Sequence, residues 1–117
     1  MTNTRIAYLY RDASNYKQSE SIVVLGKITF ADVEPYLDGG EYFIPGQVGL
    51  ADLQHRFGKK LTMGDHPWHE LGEGDFESTN DTPTLSTTAE QLFERFRTVT
   101  WDEIAAGDAL GIPYERD

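Results

Sequence analysis

Two short stretches hold most of the side chains whose types and spacing could do chemistry. In YLYRDASNYK, residues 8–17, the side chains of Tyr10, Arg11, Asn15, Tyr16 and Lys17 bring phenol rings, an amide and two cations close together. Tyrosine rings offer a face for stacking, and Arg and Lys engage phosphate or carboxylate. The same stretch has an ordinary reading, because Asp12, Ser14 and Asn15 are the residues that bond their own backbone in turns. In DHPWHE, residues 65–70, Asp65, His66, His69 and Glu70 are all of metal-ligating type. Their order matches neither H-E-x-x-H nor H-x-x-E-H. Pro67 also bars the regular helix that would set both imidazoles on one face. No metal is assigned, and Trp68 is the residue of this stretch given a contact role.

Other catalytic signatures are missing. Cysteine is absent, and there is no G-x-S-x-G, no phosphate-cradling glycine loop and no G-x-G-x-x-G. Carboxylates abound, but they fall on a segment that reads as exposed, where ordinary pKa values make poor general acids. No catalytic residue and no cofactor is assigned. Charge is distributed unevenly along the chain. Residues 1–60 carry seven Lys/Arg and seven Asp/Glu, while residues 61–117 carry three against thirteen, which accounts for the whole net charge of −10. Residues 65–81 contain six acids and no Lys or Arg. Such a field repels phosphates over roughly 8–10 Å, so direct nucleic-acid binding is not expected.

These side chains must be positioned by a modest frame. The length of 117 residues suits a single domain, 1–117, with 38% apolar residues to fill one core. Nothing approaches the run of about 18 apolar residues that a membrane span needs. The N-terminus has no apolar signal core, and cysteine is absent, so a cytoplasmic protein is expected. RIAYLY, 5–10, alternates as a strand, and SIVVLGKI, 21–28, reads as a more buried one. The ten residues between them exceed a tight hairpin of about two to five residues, which favours a loop that folds back over the sheet end. On that reading Arg11 and Lys17 share one concavity with Tyr10.

Residues 29–37 predict a helix shortened by Pro35, EYFI at 41–44 a third strand, and 49–57 a helix with Leu50, Leu53 and Phe57 inward and Gly58 as its stop. WHEL, 68–71, reads as a short edge strand followed by a long acidic loop. Thr87 and Glu90 have capping-box spacing ahead of the stripe Leu92, Phe93, Phe96, Val99, and Thr100 and Glu103 repeat that spacing. Strands first and helices last predict an α+β fold: three or four antiparallel strands packed by a C-terminal amphipathic helix.

YLYRDASNYK, GEYFIPGQVGL and DHPWHEL together resemble a loosely defined group of small acidic proteins of phages and mobile elements, over roughly residues 6–71. The resemblance implies a non-catalytic protein of the host cytoplasm that interferes with defence, by sequestering a nucleotide signal or blocking a defence protein. It carries no residue roles. The leading expectation is a homo-oligomeric binding protein for a small polar, nucleotide-like ligand. Its contacts would be Tyr10, Arg11, Asn15, Tyr16, Lys17, Tyr42 and Trp68. One alternative is an acidic inhibitor that mimics nucleic acid through residues 65–81. Another is a small metal-dependent enzyme built on DHPWHE.

Overall fold

β1 (Asn3–Arg11) is the strand on which everything else is assembled. In the computed structural model, which describes residues 2–58 and 60–113, its side chains alternate strictly from Thr4 onward: Ile6, Tyr8 and Tyr10 are buried, while Arg5, Ala7, Leu9 and Arg11 are partly exposed. That is the period-2 pattern of a strand with one face on a core. β2 (Lys17–Val24) runs antiparallel along one side of it, from Thr4 opposite Val24 to Arg11 opposite Lys17. Ile22, Val23 and Val24 are buried, as their apolar run predicts.

The connection between these strands is shorter than predicted. β2 starts at Lys17 rather than Ser21, so only residues 12–16 link the two strands. β2 lies at one end of the strand order β2-β1-β4-β3. An edge strand can carry Lys17, Gln18, Ser19 and Glu20 toward water, so its first half has no apolar signature to read.

The other side of β1 is shared by two short strands. β4 (His69–Glu70) pairs at Leu9, and β5 (Phe76–Thr79) pairs from Ile6 to Asn3. The two behave as one strand interrupted by a 3₁₀ turn at Glu73–Asp75. The Asp75 carboxylate accepts the Gly72 N–H at 2.7 Å and so closes the excursion. β3 (Tyr42–Phe43) pairs with β4 on its far side. WHEL is therefore an interior strand, not an edge, and the stretch read as an acidic loop contains a strand. Both errors have one cause. β4 and β5 are held by long-range pairing to β1, and neither is long enough to show a period of its own.

One short helix falls between β2 and β3, two longer ones follow the last of the five strands, and the fold is α+β. α1 (Phe30–Val33) starts at Thr29, whose hydroxyl accepts from Asp32 N–H while the Asp32 carboxylate accepts from Thr29 N–H. Pro35 then turns it into a 3₁₀ segment at Glu34–Tyr36. α2 (Ala89–Thr98) is capped reciprocally by Thr88 and Gln91, one residue later than the predicted Thr87 and Glu90 pair. α3 (Glu103–Leu110) is capped by Asp102, not Thr100. Leu92 and Phe96 are buried, and Phe93 and Val99 pack partly buried against the same core. No helix among the described residues is long and apolar enough to cross a membrane.

The helix predicted over 49–57 is replaced by 3₁₀ segments at Pro45–Val48 and Gln54–Phe57, separated by an irregular stretch. Gly49 has φ of 81° and sits against the Arg95 guanidinium, a place where a Cβ would be both strained and crowded. Past Leu50, whose N–H still bonds Pro45 C=O at 2.9 Å, two backbone groups bond to distant side chains. Ala51 C=O accepts the Tyr8 hydroxyl at 2.7 Å, and Leu53 N–H donates to His69 Nε2 at 3.1 Å. Gly58, with φ of 71°, ends the second segment as predicted. The side chain of Phe57 lies outside the described residues.

Candidate functional site

The end of β1 organises a second layer of chain above it. Tyr10 is fully buried, and its hydroxyl donates to Asp65 Oδ1 at 2.5 Å while accepting from His66 N–H at 3.3 Å. Burial, with the Asp65 carboxylate beside it, raises the Tyr10 phenol well above the ordinary tyrosine value. Asp65 Oδ2 accepts from Thr62 N–H at 2.9 Å, so this carboxylate closes its own turn and ties it to β1. His66 completes the attachment. Its Nδ1 accepts the Trp68 N–H at 3.1 Å, which leaves Nε2–H to donate to Arg11 C=O at 2.7 Å. Gln54 adds a hydrogen bond from Nε2 to His66 C=O at 2.9 Å.

His69 is spent in the same way. It is completely buried, with Nδ1–H directed at Pro67 C=O and Nε2 accepting from Leu53. Burial lowers its pKa to about 4, so it is neutral near pH 7. The rings of His66 and His69 flank Tyr10, each with centroids 5.2 Å from it. All four imidazole nitrogens are thus committed to the backbone. Among the described residues no group of three or more His, Asp or Glu converges as a cation site would require. The DHPWHE segment is a structural clasp.

Within the clasp Pro67 separates the Asp65 turn from β4, and Trp68 stands at that junction. Alternation places Trp68 and Glu70 on the sheet face opposite His69. Tyr42 lies directly across from Glu70 and is 37% exposed. Asp38 is brought beside Tyr42 by the turn through Gly39 and Gly40, whose φ values are 60° and 74°. The two residues exchange backbone hydrogen bonds of 2.8 and 3.0 Å. Adjacent glycines make that turn cheap, since other residues rarely take positive φ twice running. Tyr42, His66 and Trp68, with the carboxylates of Asp38 and Glu103, line an open hollow of about 430 Å³. Trp68 meets Trp101 edge to face, with centroids 6.2 Å apart, and Trp101 is fixed by a hydrogen bond from its Nε1–H to Tyr36 C=O at 2.8 Å.

The predicted contacts divide into two groups. Tyr42 and Trp68 share this cleft, and Tyr10 supports it from below. Arg11, Asn15, Tyr16 and Lys17 do not line it. Arg11 and Lys17 are cross-strand partners and share a sheet face, but Tyr10, adjacent in sequence, faces the core. The concavity expected between the two cations and Tyr10 is therefore not formed. Arg11 pairs instead with Glu70 at 3.0 Å and donates to Asn15 Oδ1 at 2.7 Å. At the tip, Asp12 Oδ1 accepts from Ser14 N–H and Tyr16 N–H, both at 2.9 Å. Asn15 takes φ of 68°, a conformation that Asn tolerates better than most residues.

Most carboxylates of the acidic stretch 65–81 have a partner within the fold, although only Glu70, Glu77 and Asp81 meet a cation among the described residues. Asp65 is buried on Tyr10, Glu70 meets Arg11, Asp75 holds Gly72, and Glu77 and Asp81 both bond Arg5. Sequence reasoning missed Asp38, His66 and Glu103 as cleft residues. The Asp-Gly-Gly turn ahead of a strand was a usable signal for Asp38; Glu103 arrives on a distant helix and had none. No protein-family model matches the chain, and no curated protein or solved structure does.

Proposed function

We propose that this chain is a non-enzymatic binding protein that grips its ligand through the cleft of Tyr42, His66 and Trp68. One observation carries the reading: the ring of Tyr42, 37% exposed, and the partly buried rings of Trp68 and His66 line an open hollow, while Tyr10, Asp65 and His69 beneath them are consumed by structural hydrogen bonds. Fixed rings over a satisfied second layer suit recognition more than chemistry. The resemblance to small phage proteins that interfere with host defence supplies the ligands to try first. A nucleotide base would stack on Trp68 or Tyr42, but its phosphates would need a cation, and Arg11 is already engaged by Glu70. Nucleic-acid mimicry by residues 65–81 has less behind it, because most of those carboxylates already face an internal partner.

The test is thermal shift and tryptophan fluorescence with cyclic dinucleotides, ADP-ribose derivatives and uncharged aromatic heterocycles, on the wild type and on Trp68→Leu. Ligands that raise the melting temperature of the wild type should lose about five- to 150-fold in affinity on Trp68→Leu, since base–aromatic stacking contributes about 1–3 kcal/mol. A ligand that binds both proteins equally would place the site elsewhere.

A further inference from the structure

The cleft does not end at His66. A second hollow of about 390 Å³ lies beyond it, lined by Met63, Pro67, Gly107 and Ile112 among others, and His66 and Glu103 line both. The two hollows adjoin across this shared pair. They make one groove between residues 63–68 and α3 with the residues that follow it. Its walls alternate apolar and acidic. Met63 is 63% exposed and Tyr42 37%. No Lys or Arg lines either hollow.

Charge is what selects the occupant. Glu20, Glu70, Glu77, Asp81 and Glu94 each form an ion pair with an arginine of this chain. Asp38 and Glu103, like most carboxylates of the chain, form none among the described residues; what sets them apart is that both are exposed and line a hollow that no Lys or Arg lines. Two unpaired carboxylates lining one hollow with Trp68 and Tyr42 suit a cationic group, through charge and through cation–π attraction. His66 has no free nitrogen to orient a small polar ligand. A chain that carries its own cation and lays apolar side chains along the groove satisfies every part of it.

We propose that this groove binds a short extended segment of a basic partner protein, with an Arg or Lys held between Asp38, Glu103 and the aromatic rings, and an apolar neighbour over Met63 and Ile112. The proposal rests on the cleft being a binding site and names the chemistry of what it takes. It moves the acidic contact surface from residues 65–81 to two carboxylates on separate elements.

The probe is an array of nine-residue peptides combining Arg or Lys with Leu or Phe, alongside the same peptides with Glu for each cation. Hits are measured by fluorescence polarisation on the wild type and on Asp38→Asn/Glu103→Gln. Both positions are exposed, and an unchanged melting temperature verifies the fold of the double variant. Basic peptides should bind, and Glu peptides should not. The double variant should weaken binding at least tenfold, and raising salt from 50 to 500 mM should weaken the wild type but change the variant little. Amide shifts on binding should gather at Tyr42, residues 63–68 and α3. No hit among the basic peptides, or binding that the double variant leaves intact, overturns the proposal. If an uncharged heterocycle still binds in a Trp68-dependent way, the cleft survives as a site and only its cationic occupant is lost.

Discussion

The hairpin tip at residues 12–16 and the cleft around Trp68 look alike in composition, with aromatic, amide and charged residues crowded together. They differ in where their polar groups go. At the tip, Asp12 serves the N–H groups of Ser14 and Tyr16, and Asn15 receives Arg11, all within a few residues. Around the cleft, Tyr10 reaches Asp65, His66 reaches Arg11, and Trp101 reaches Tyr36. Ala13 N–H donates to Gly64 C=O at 3.1 Å, but the bonds of Asp12 and Asn15 are short-range and satisfy the turn itself. Long-range bonds fix a layer of chain in place, which leaves the outward faces of its rings free to make contacts. A cluster of polar residues is thus weak evidence for a site until its hydrogen bonds are followed to their ends.

This contrast can be broken most forcefully at Phe96. Its ring packs on Phe43 and on Trp101, with centroids 5.8 and 6.2 Å away, and Trp101 in turn backs Trp68. Phe96→Ala should cost about 3–5 kcal/mol in urea unfolding, the range for emptying a buried aromatic site. Tryptophan emission should also shift in the folded variant, because the support of the cleft has been removed. A loss below about 1 kcal/mol would mean that the cleft does not depend on this stack.

A pH titration probes the same frame through His69. Its pKa in the folded protein is about 4, against 6.5 for the free side chain, because burial penalises the charged form. The unfolded chain therefore binds the extra proton between those values. Stability from this group is fully present above about pH 6.5 and falls as pH drops toward 4. Over that window the loss should be about 3 kcal/mol, from about 1.4 kcal/mol for each unit. His69→Gln should flatten the dependence between pH 6.5 and 4. If wild type and variant keep parallel stability curves over that window, His69 is not the buried neutral group described above.

The smallest effect is expected at the tip. Lys17 is exposed on an edge strand. Lys17→Ala should change stability by no more than about 0.5 kcal/mol, and should alter peptide or heterocycle affinity less than twofold. A tenfold loss of affinity would erase the distinction between the two regions and return the hairpin to the site.

Much of the frame was legible from residues alone. The alternation of Ile6, Tyr8 and Tyr10 marks β1, the run Ile22–Val24 marks the buried end of β2, and the stripe Leu92 and Phe96 marks α2. Each is a pattern repeated over enough neighbouring residues to outweigh its exceptions. Caps were legible to within a residue or two, because Thr87 and Thr88 offer competing starts and only the packed helix chooses between them. Tertiary structure decided the rest. β4 and β5 become strands because β1 offers them an edge, and 49–53 avoids a helix because Tyr8 and His69 take its backbone groups from a distance. The cleft belongs to this second class. Asp38, Tyr42, Trp68 and Glu103 come from a glycine turn, a short strand, the junction ahead of β4 and a late helix. No local period links them, since their proximity arises only when long-range pairing folds those elements onto one face.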